Sequence, residues 1–345
     1  MIRSRLHSVP NPILPILTVL LLALTARANA ETVELGAPNK PAKPMVVDTT
    51  ATIAVEQLAP GVYAAKLSYV WTGWVELGDG ILVIDTGFNE QGAKALADTI
   101  RARSGNLPIR YVVNTHAHQD HTGGDRFFAT LGPTFIAHAN AAEQIQHFLT
   151  WGGEEQEEGD ALTHSDVTPP TVKKITKRTS YGGPKRPVQV LSLGRPAHTD
   201  GDLVVYLPKQ RILFAGDIVS NRAVPWMVDP GMDVDGWLKS LDSLLTPAFK
   251  IETLVPGHGE IARPGQQGIA FTNHYLLDAR EKAAKSAAYG QNLQQVREWG
   301  YLGAYEGLEF YSEVHFLNMR RLYNQAKGIK TPGRKNTHAI KIKRT

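Results

Sequence analysis

Cysteine is absent from the 345 residues. That excludes disulfides, redox thiols, thiolate metal ligands and a lipid carried on Cys. Any metal site must be built from His, Asp and Glu, and any covalent nucleophile must be something other than a thiol. Long apolar runs are missing as well. The stretch from Ile13 to Leu24 is twelve residues long and interrupted by Pro15 and Thr18, short of the ~20 residues a membrane-spanning helix needs. No internal repeat is visible, which argues against a solenoid or propeller. The body of the chain also lacks an excess of basic charge. The formal net charge is +4, but residues 1–30 hold Arg3, Arg5 and Arg27 and no acid, and residues 330–345 hold six basic residues and no acid. Residues 31–329 carry 28 basic against 33 acidic residues, so no electrostatic footprint for a nucleic acid remains.

What is present is an ordinary globular composition, 42% hydrophobic and 20% charged, with length enough for a sizeable core. The first thirty residues read as a secretory signal. Arg3 and Arg5 form a basic start, the apolar run follows, and Ala28-Asn29-Ala30 is a small-x-small cleavage site placing the mature start at Glu31. The expectation is a soluble exported chain, periplasmic if the cell is Gram-negative, with no membrane span after cleavage. Residues 31–52 read as a flexible lead-in and 330–345 as a disordered basic tail.

Between them, short apolar runs alternate with helical patterns. Val62 to Leu67, Gly80 to Asp85 and Ile109 to Val113 read as strands, the second continuously apolar as in a strand buried on both faces. Residues 89–104 read as a helix, with Asn89 as N-cap and Ala93, Leu96, Ala97 and Ile100 on one face. A helix at 141–150 precedes a mixed-charge segment, 152–185, read as an excursion loop that could serve as a lid. A hairpin at 203–215, a helix at 234–245 and a last strand at 253–255 follow. This alternation predicts a layered α/β domain over residues 53–262. Residues 263–329 form a helical C-terminal extension, with a break near Gly300–Gly303.

The chemistry concentrates in His116-Ala117-His118-Gln119-Asp120-His121, followed by Thr122-Gly123-Gly124, at the end of a buried strand. In extended or loop backbone, alternate residues project to one side, so His116 and His118 can share a metal while Asp120 and His121 turn toward a second position. Imidazole and carboxylate suit zinc and its borderline neighbours. Three further signals lie at strand ends: His198, Asp217 after Leu213 to Gly216, and His258 in Pro256-Gly257-His258-Gly259. Alone, each of these reads as a surface, core or capping residue. Trp71, Trp74 and Trp226 are candidates for a substrate pocket or for aromatic cover of the domain's edge. His138, His147, His164, His274, His315 and His338 match no motif, and His7 belongs to the signal.

The set HxHxDH, His198, Asp217 and His258, in this order and with Asp85-Thr86-Gly87 ahead of it, resembles the metallo-β-lactamase superfamily over roughly residues 55–260. The resemblance implies a four-layer αββα sandwich with two metals at one edge of its sheets. Carried over by position, His116, His118 and His198 hold one ion; Asp120, His121 and His258 hold the other; Asp217 bridges them; and Asp85 orients a ligand imidazole from behind. The cofactor implied is zinc, two ions per chain, with iron or manganese as alternatives. The reaction implied is attack of a metal-bridging hydroxide on an ester, thioester, lactone or amide of a small substrate, with Asp120 orienting the hydroxide and shuttling a proton.

Departures narrow the branch. Several β-lactamase subclasses use a Cys ligand, absent here, and the remaining one usually lacks the bridging Asp, which points toward a ligand set like that of glyoxalase II. The quorum-signal lactonases place a Tyr where Ser220 stands. A weaker similarity, carried by Asn318 to Tyr323, is to exported hydrolases of quinoprotein systems. The alternatives kept are a β-lactamase with an unusual ligand set, and a non-hydrolytic iron enzyme or metal-binding protein on the same fold.

Overall fold

A computed structural model describes residues 53–151 and 172–329. The readings for residues 1–30, 31–52 and 330–345, and for the first part of the 152–185 segment, fall outside the described residues.

The described residues begin with an antiparallel meander: β1 (Ile53–Ala59), β2 (Val62–Leu67), β3 (Val70–Glu76) and β4 (Ile81–Ile84). Next comes α1 (Glu90–Ser104), capped by Asn89, whose side chain accepts from Gly92 N at 2.9 Å. This helix is the crossover that a parallel neighbour requires, and β5 (Ile109–Val113) pairs parallel to β4. Its buried residues are Ala93, Leu96, Ala97 and Ile100, the face read from their spacing. Two short helices, α2 (Gln119–Thr122) and α3 (Asp125–Ala129), lead into β6 (Thr134–His138); α4 (Ala142–Trp151) follows. β7 (Val172–Ile175) continues the sheet, parallel to β6.

The second sheet holds β8 (Arg178–Tyr181), β9 (Val188–Leu191), β10 (Val204–Leu207) and β11 (Ile212–Phe214), with β13 (Thr253–Val255) parallel to β11. Between β11 and β13 lie the two-residue β12 (Ser220–Asn221) and α5 (Val234–Leu244); β14 (His258–Gly259) then pairs with β12 and with Val70 of β3.

Two cores follow from the two-residue period of a strand. In β4, Leu82 and Ile84 join Val62, Ala64, Val113, Val190, Val205, Leu207 and Phe214 between the sheets. Ile81 and Val83 face the other way, against Leu96, Ile100 and Phe128 of the helical layer. Burial on both faces is why this strand reads as uninterrupted apolar sequence. Each such side chain contributes about 1.5–3 kcal/mol. The sheets and helices form the expected α/β sandwich.

The 152–185 segment departs from its reading as a loop, because its last part supplies β7 and β8. In β7 only Val172 and Ile175 are buried, and β8 is a polar strand at the end of its sheet. An edge strand is held by ladder hydrogen bonds to a single neighbour, so it needs little apolar sequence and leaves little trace in the pattern.

The C-terminal extension comprises α6 (Gln266–Ala288), α7 (Leu293–Trp299) and α8 (Tyr311–Ala326). α6 packs on α8 and on β12. Among the described residues, no helix is long and apolar enough to cross a membrane.

Candidate metal centre

Four strand ends converge at one edge of the sandwich. β4 delivers Asp85, β5 delivers Thr115 to His121, β11 delivers Asp217 in a tight turn at Gly216–Ile218, and β14 carries His258. His198 arrives on the loop before β10. The seven residues read as ligands come together in two groups. His116, His118, His198 and Asp217 offer ligand atoms within 4.8 Å of one another, and so do Asp120, His121 and His258.

Asp217 touches both groups. Its Oδ2 lies 3.4 Å from His198 Nε2 and 3.2 Å from His258 Nε2, and its Oδ1 lies 3.1 Å from His121 Nε2. Asp120 Oδ2 is 3.2 Å from His258 Nε2 and 3.7 Å from His121 Nε2. Backbone makes room for this crowding. A Cβ on Gly257 would stand 1.8 Å from Asp217 Oδ1, and one on Gly123 would stand 1.7 Å from the Phe88 carbonyl oxygen. Only glycine fits at either position.

Each imidazole has one nitrogen held from behind. Asp85 Oδ2 accepts from His121 Nδ1 at 2.8 Å, while its carboxylate also takes the Thr115 N–H at 2.7 Å and the Thr115 hydroxyl at 2.8 Å. Since the Thr115 proton goes to Asp85, Thr115 Oγ1 accepts from His116 Nδ1 at 3.1 Å. The Trp226 carbonyl accepts from His198 Nδ1 at 3.0 Å, and the Tyr69 carbonyl from His258 Nδ1 at 3.1 Å. His118 is turned the other way round: its Nε2 donates to Asp229 Oδ2 at 3.0 Å. These partners set the tautomers. The nitrogens left facing inward are then Nδ1 of His118 and Nε2 of the other four, each offering a lone pair once its imidazole is neutral.

Those nitrogens meet one another and two carboxylates. His118 Nδ1 and His198 Nε2 stand 2.9 Å apart. His116 Nε2, His121 Nε2 and Asp217 Oδ1 are buried without a hydrogen-bond partner. A buried acceptor left unpaired is costly, and positive charge, whether protons on the imidazoles or a metal ion between them, satisfies these groups. The proton affinities carry the same message. Burial opposes charge on His258, yet Asp217 and Asp120 outweigh it and push the imidazole up to about 10. His121 is likewise held well above its ordinary value against burial, by Asp217, Asp120 and Asp85. His116, in contrast, is held well below by burial and by the neighbouring imidazole of His121. The donor set of imidazole and carboxylate fits zinc. Solvent reaches the cluster over His118 and Asp120, whose side chains are 23% and 19% exposed.

Asp229 was not legible in the sequence: Asp229-Pro230-Gly231 reads as a turn and nothing more. Trp74 leaves the list of pocket candidates. It is fully buried, stacks on Tyr63 at 4.6 Å and donates its indole N–H to Ser104. Trp71 donates its indole N–H to the Gly259 carbonyl, beside His258, and Trp226 contributes its backbone to His198. The wall beside His258 is built by Tyr69 and by Phe310 from the extension, whose rings lie 5.7 and 5.3 Å from the imidazole. Phe310 adopts φ +68°, a left-handed conformation that a bulky side chain rarely takes. His315 is a buried structural residue, bonded to Tyr275 and to the Gly300 carbonyl.

Residues 65–258 match the metallo-beta-lactamase superfamily. Metallo-beta-lactamase IND-1 of Chryseobacterium indologenes is 28% identical over 201 residues, covering 58% of this chain and 76% of that protein. Metallo-beta-lactamase type 2 of Bacillus cereus is 25% identical over 245 residues, covering 68% of this chain and 86% of that protein. Among solved structures, the mono-zinc form of metallo-beta-lactamase FIM-1 from Pseudomonas aeruginosa aligns with a TM-score of 0.52 at 20% identity, over 66% of this chain and 96% of that one. At that identity the likeness concerns the fold alone.

Proposed function

This chain belongs to the metallo-β-lactamase superfamily of hydrolases, and from that premise we propose that it is an exported dinuclear zinc metallohydrolase cleaving an ester, thioester, lactone or amide bond of a small substrate. The observation that carries the reading is the ring of five imidazole nitrogens facing inward around Asp217 and Asp120, each a ligand atom once its imidazole is neutral. His116, His118 and His198 would hold one ion, Asp120, His121 and His258 the other, with Asp217 between. Zinc bound there would supply a water acidified to near neutrality and a Lewis acid for the carbonyl oxygen.

The chain's own residues do the rest. Burial alone would raise the Asp120 carboxyl, but His121 and His258 hold it at about 2, so it stays ionised at the open side of the cluster. From there it orients the proton of an attacking water and accepts it in transit. Asp85 and Asp229 keep His121 and His118 in the tautomers that ligation needs. Tyr69 and Phe310 keep bulk water from the His258 side.

Hydrolysis of a β-lactam ring is the second reading, favoured by relatives named metallo-beta-lactamases across most of their own length. Export rests on the N-terminal thirty residues; sequencing the protein recovered outside the cytoplasm is expected to begin at Glu31. A panel of lactones, thioesters, β-lactams and phosphoesters, offered to zinc-loaded protein, tests the activity. Turnover of one class that vanishes in His116→Ala supports the proposal. No turnover of any class, or turnover indifferent to that substitution, overturns it.

A further inference from the structure

The C-terminal helices supply none of the seven candidate ligands, yet one of their side chains is connected to the cluster. Asn318 of α8 is fully buried. Its Oδ1 accepts the Met227 N–H at 2.9 Å, and its Nδ2 donates to the Pro225 carbonyl at 2.7 Å and to the Tyr275 hydroxyl at 3.0 Å. The Met227 N–H and the Trp226 carbonyl belong to a single planar peptide, in which the two groups point in opposite directions. That carbonyl is the acceptor for His198 Nδ1. One unbroken hydrogen-bonded line therefore runs from the His198 imidazole, through one peptide, to the Asn318 carboxamide.

The peptide in question has little else to orient it. Residues 224–229 belong to no helix or strand. Just upstream, Val224 N donates to the Glu309 carbonyl at 2.8 Å and Ala223 forms a bridge with Glu309, so the extension also fixes where this stretch begins. Accepting from the N–H polarises the peptide and strengthens its carbonyl as an acceptor. The far side of the network is anchored as well. The Tyr275 hydroxyl donates to His315 Nδ1, and His315 Nε2 donates to the Gly300 carbonyl.

We propose that Asn318 is a positioning residue for the metal ligand His198. It clamps the Trp226–Met227 peptide so that His198 is held as the Nδ1–H tautomer with Nε2 aimed at the ion. The extension then completes the metal centre. This rests on the dinuclear reading above. Loss of a partner bonded directly to a ligand imidazole costs 10–100-fold in metal affinity. Asn318 acts one peptide further out, so the expected effect is about tenfold.

The test is zinc affinity by chelator competition on the mature protein, with cobalt(II) substitution as a spectroscopic readout. Asn318→Leu is expected to weaken one of two ions about tenfold and to shift the cobalt spectrum. Tyr275→Phe removes a different partner of the same carboxamide and spares both bonds to the 225–227 stretch. It is expected to change neither. A folded Asn318→Leu protein with wild-type affinity and spectrum overturns the inference, as does an equal loss in Tyr275→Phe. Should Asn318→Leu fail to fold, amide exchange in the wild type decides. Linkage requires zinc to slow exchange at Met227 more than in α6, and no selective slowing overturns the inference. Wild-type protein that takes up no zinc overturns the dinuclear reading and this inference together, whereas two ions bound equally by both proteins overturns this inference alone.

Discussion

Asp229→Asn tests how the ligand imidazoles are held. The carboxylate Oδ2 accepts from His118 Nε2 at 3.0 Å, and its Oδ1 accepts from Gly231 N at 2.6 Å. Burial would raise this carboxyl, but the bond to His118 and its charge hold it at about 2. An amide has only one oxygen. If that oxygen stays on Gly231, the NH2 group faces His118 Nε2 and donates to it. The tautomer then reverses, and the proton moves to Nδ1, where it blocks the lone pair that points into the cluster. Partners of this kind are worth 10–100-fold in metal affinity. Tautomer reversal places Asp229→Asn at the upper end, about 100-fold or ~2.7 kcal/mol on one ion. Chelator competition on the folded variant reads this directly, with the second ion as an internal reference. Unchanged affinity, or equal weakening of both ions, refutes the reasoning.

Three further outcomes are expected. Gly257→Ala drives a Cβ into Asp217 Oδ1, so metal uptake should fall while circular dichroism stays native. Zinc binding should release protons at neutral pH, because His258, raised to about 10, must give up its proton to ligate. Affinity should therefore climb with pH toward about 10 and fall in acid, which calorimetry in buffers of differing ionisation enthalpy measures. The sign for the metal-free protein is opposite: the stability that protonated His258 contributes is fully present below about 6.5 and is lost as pH rises through about 10. Trp74→Ala should cost about 3–5 kcal/mol in denaturant unfolding with zinc stoichiometry unchanged, since Trp74 lies in the core; lost stoichiometry in a folded variant would return it to the site.

Much of this arrangement is legible in the chain itself, for identifiable reasons. The α1 face shows because Ala93, Leu96, Ala97 and Ile100 are local neighbours on a helix. The ligand cluster shows because four of its members lie within six residues and Asp217 and His258 follow the ends of apolar strands, whereas His198, read as a strand-end residue, sits in the middle of the loop between β9 and β10. Asp229 and Asn318 do not show. Their effect travels through hydrogen bonds to residues 111 and 91 positions away, and nothing beside them in sequence marks those bonds. Trp74 misleads because an indole next to a ligand-bearing strand can face either side of the sheet, and only the register of β3 decides which. β8 stays hidden because Arg178 to Tyr181 carry no apolar stripe, its place being set by pairing with β9.

The central claim is that two cations share one cluster of five imidazoles and two carboxylates. Equilibrium dialysis of metal-free protein against zinc, with metal analysis per chain, tests it most directly. Two ions per chain is the predicted result. Uptake of none, or of a single ion indifferent to replacement of Asp120, His121 or His258, contradicts it.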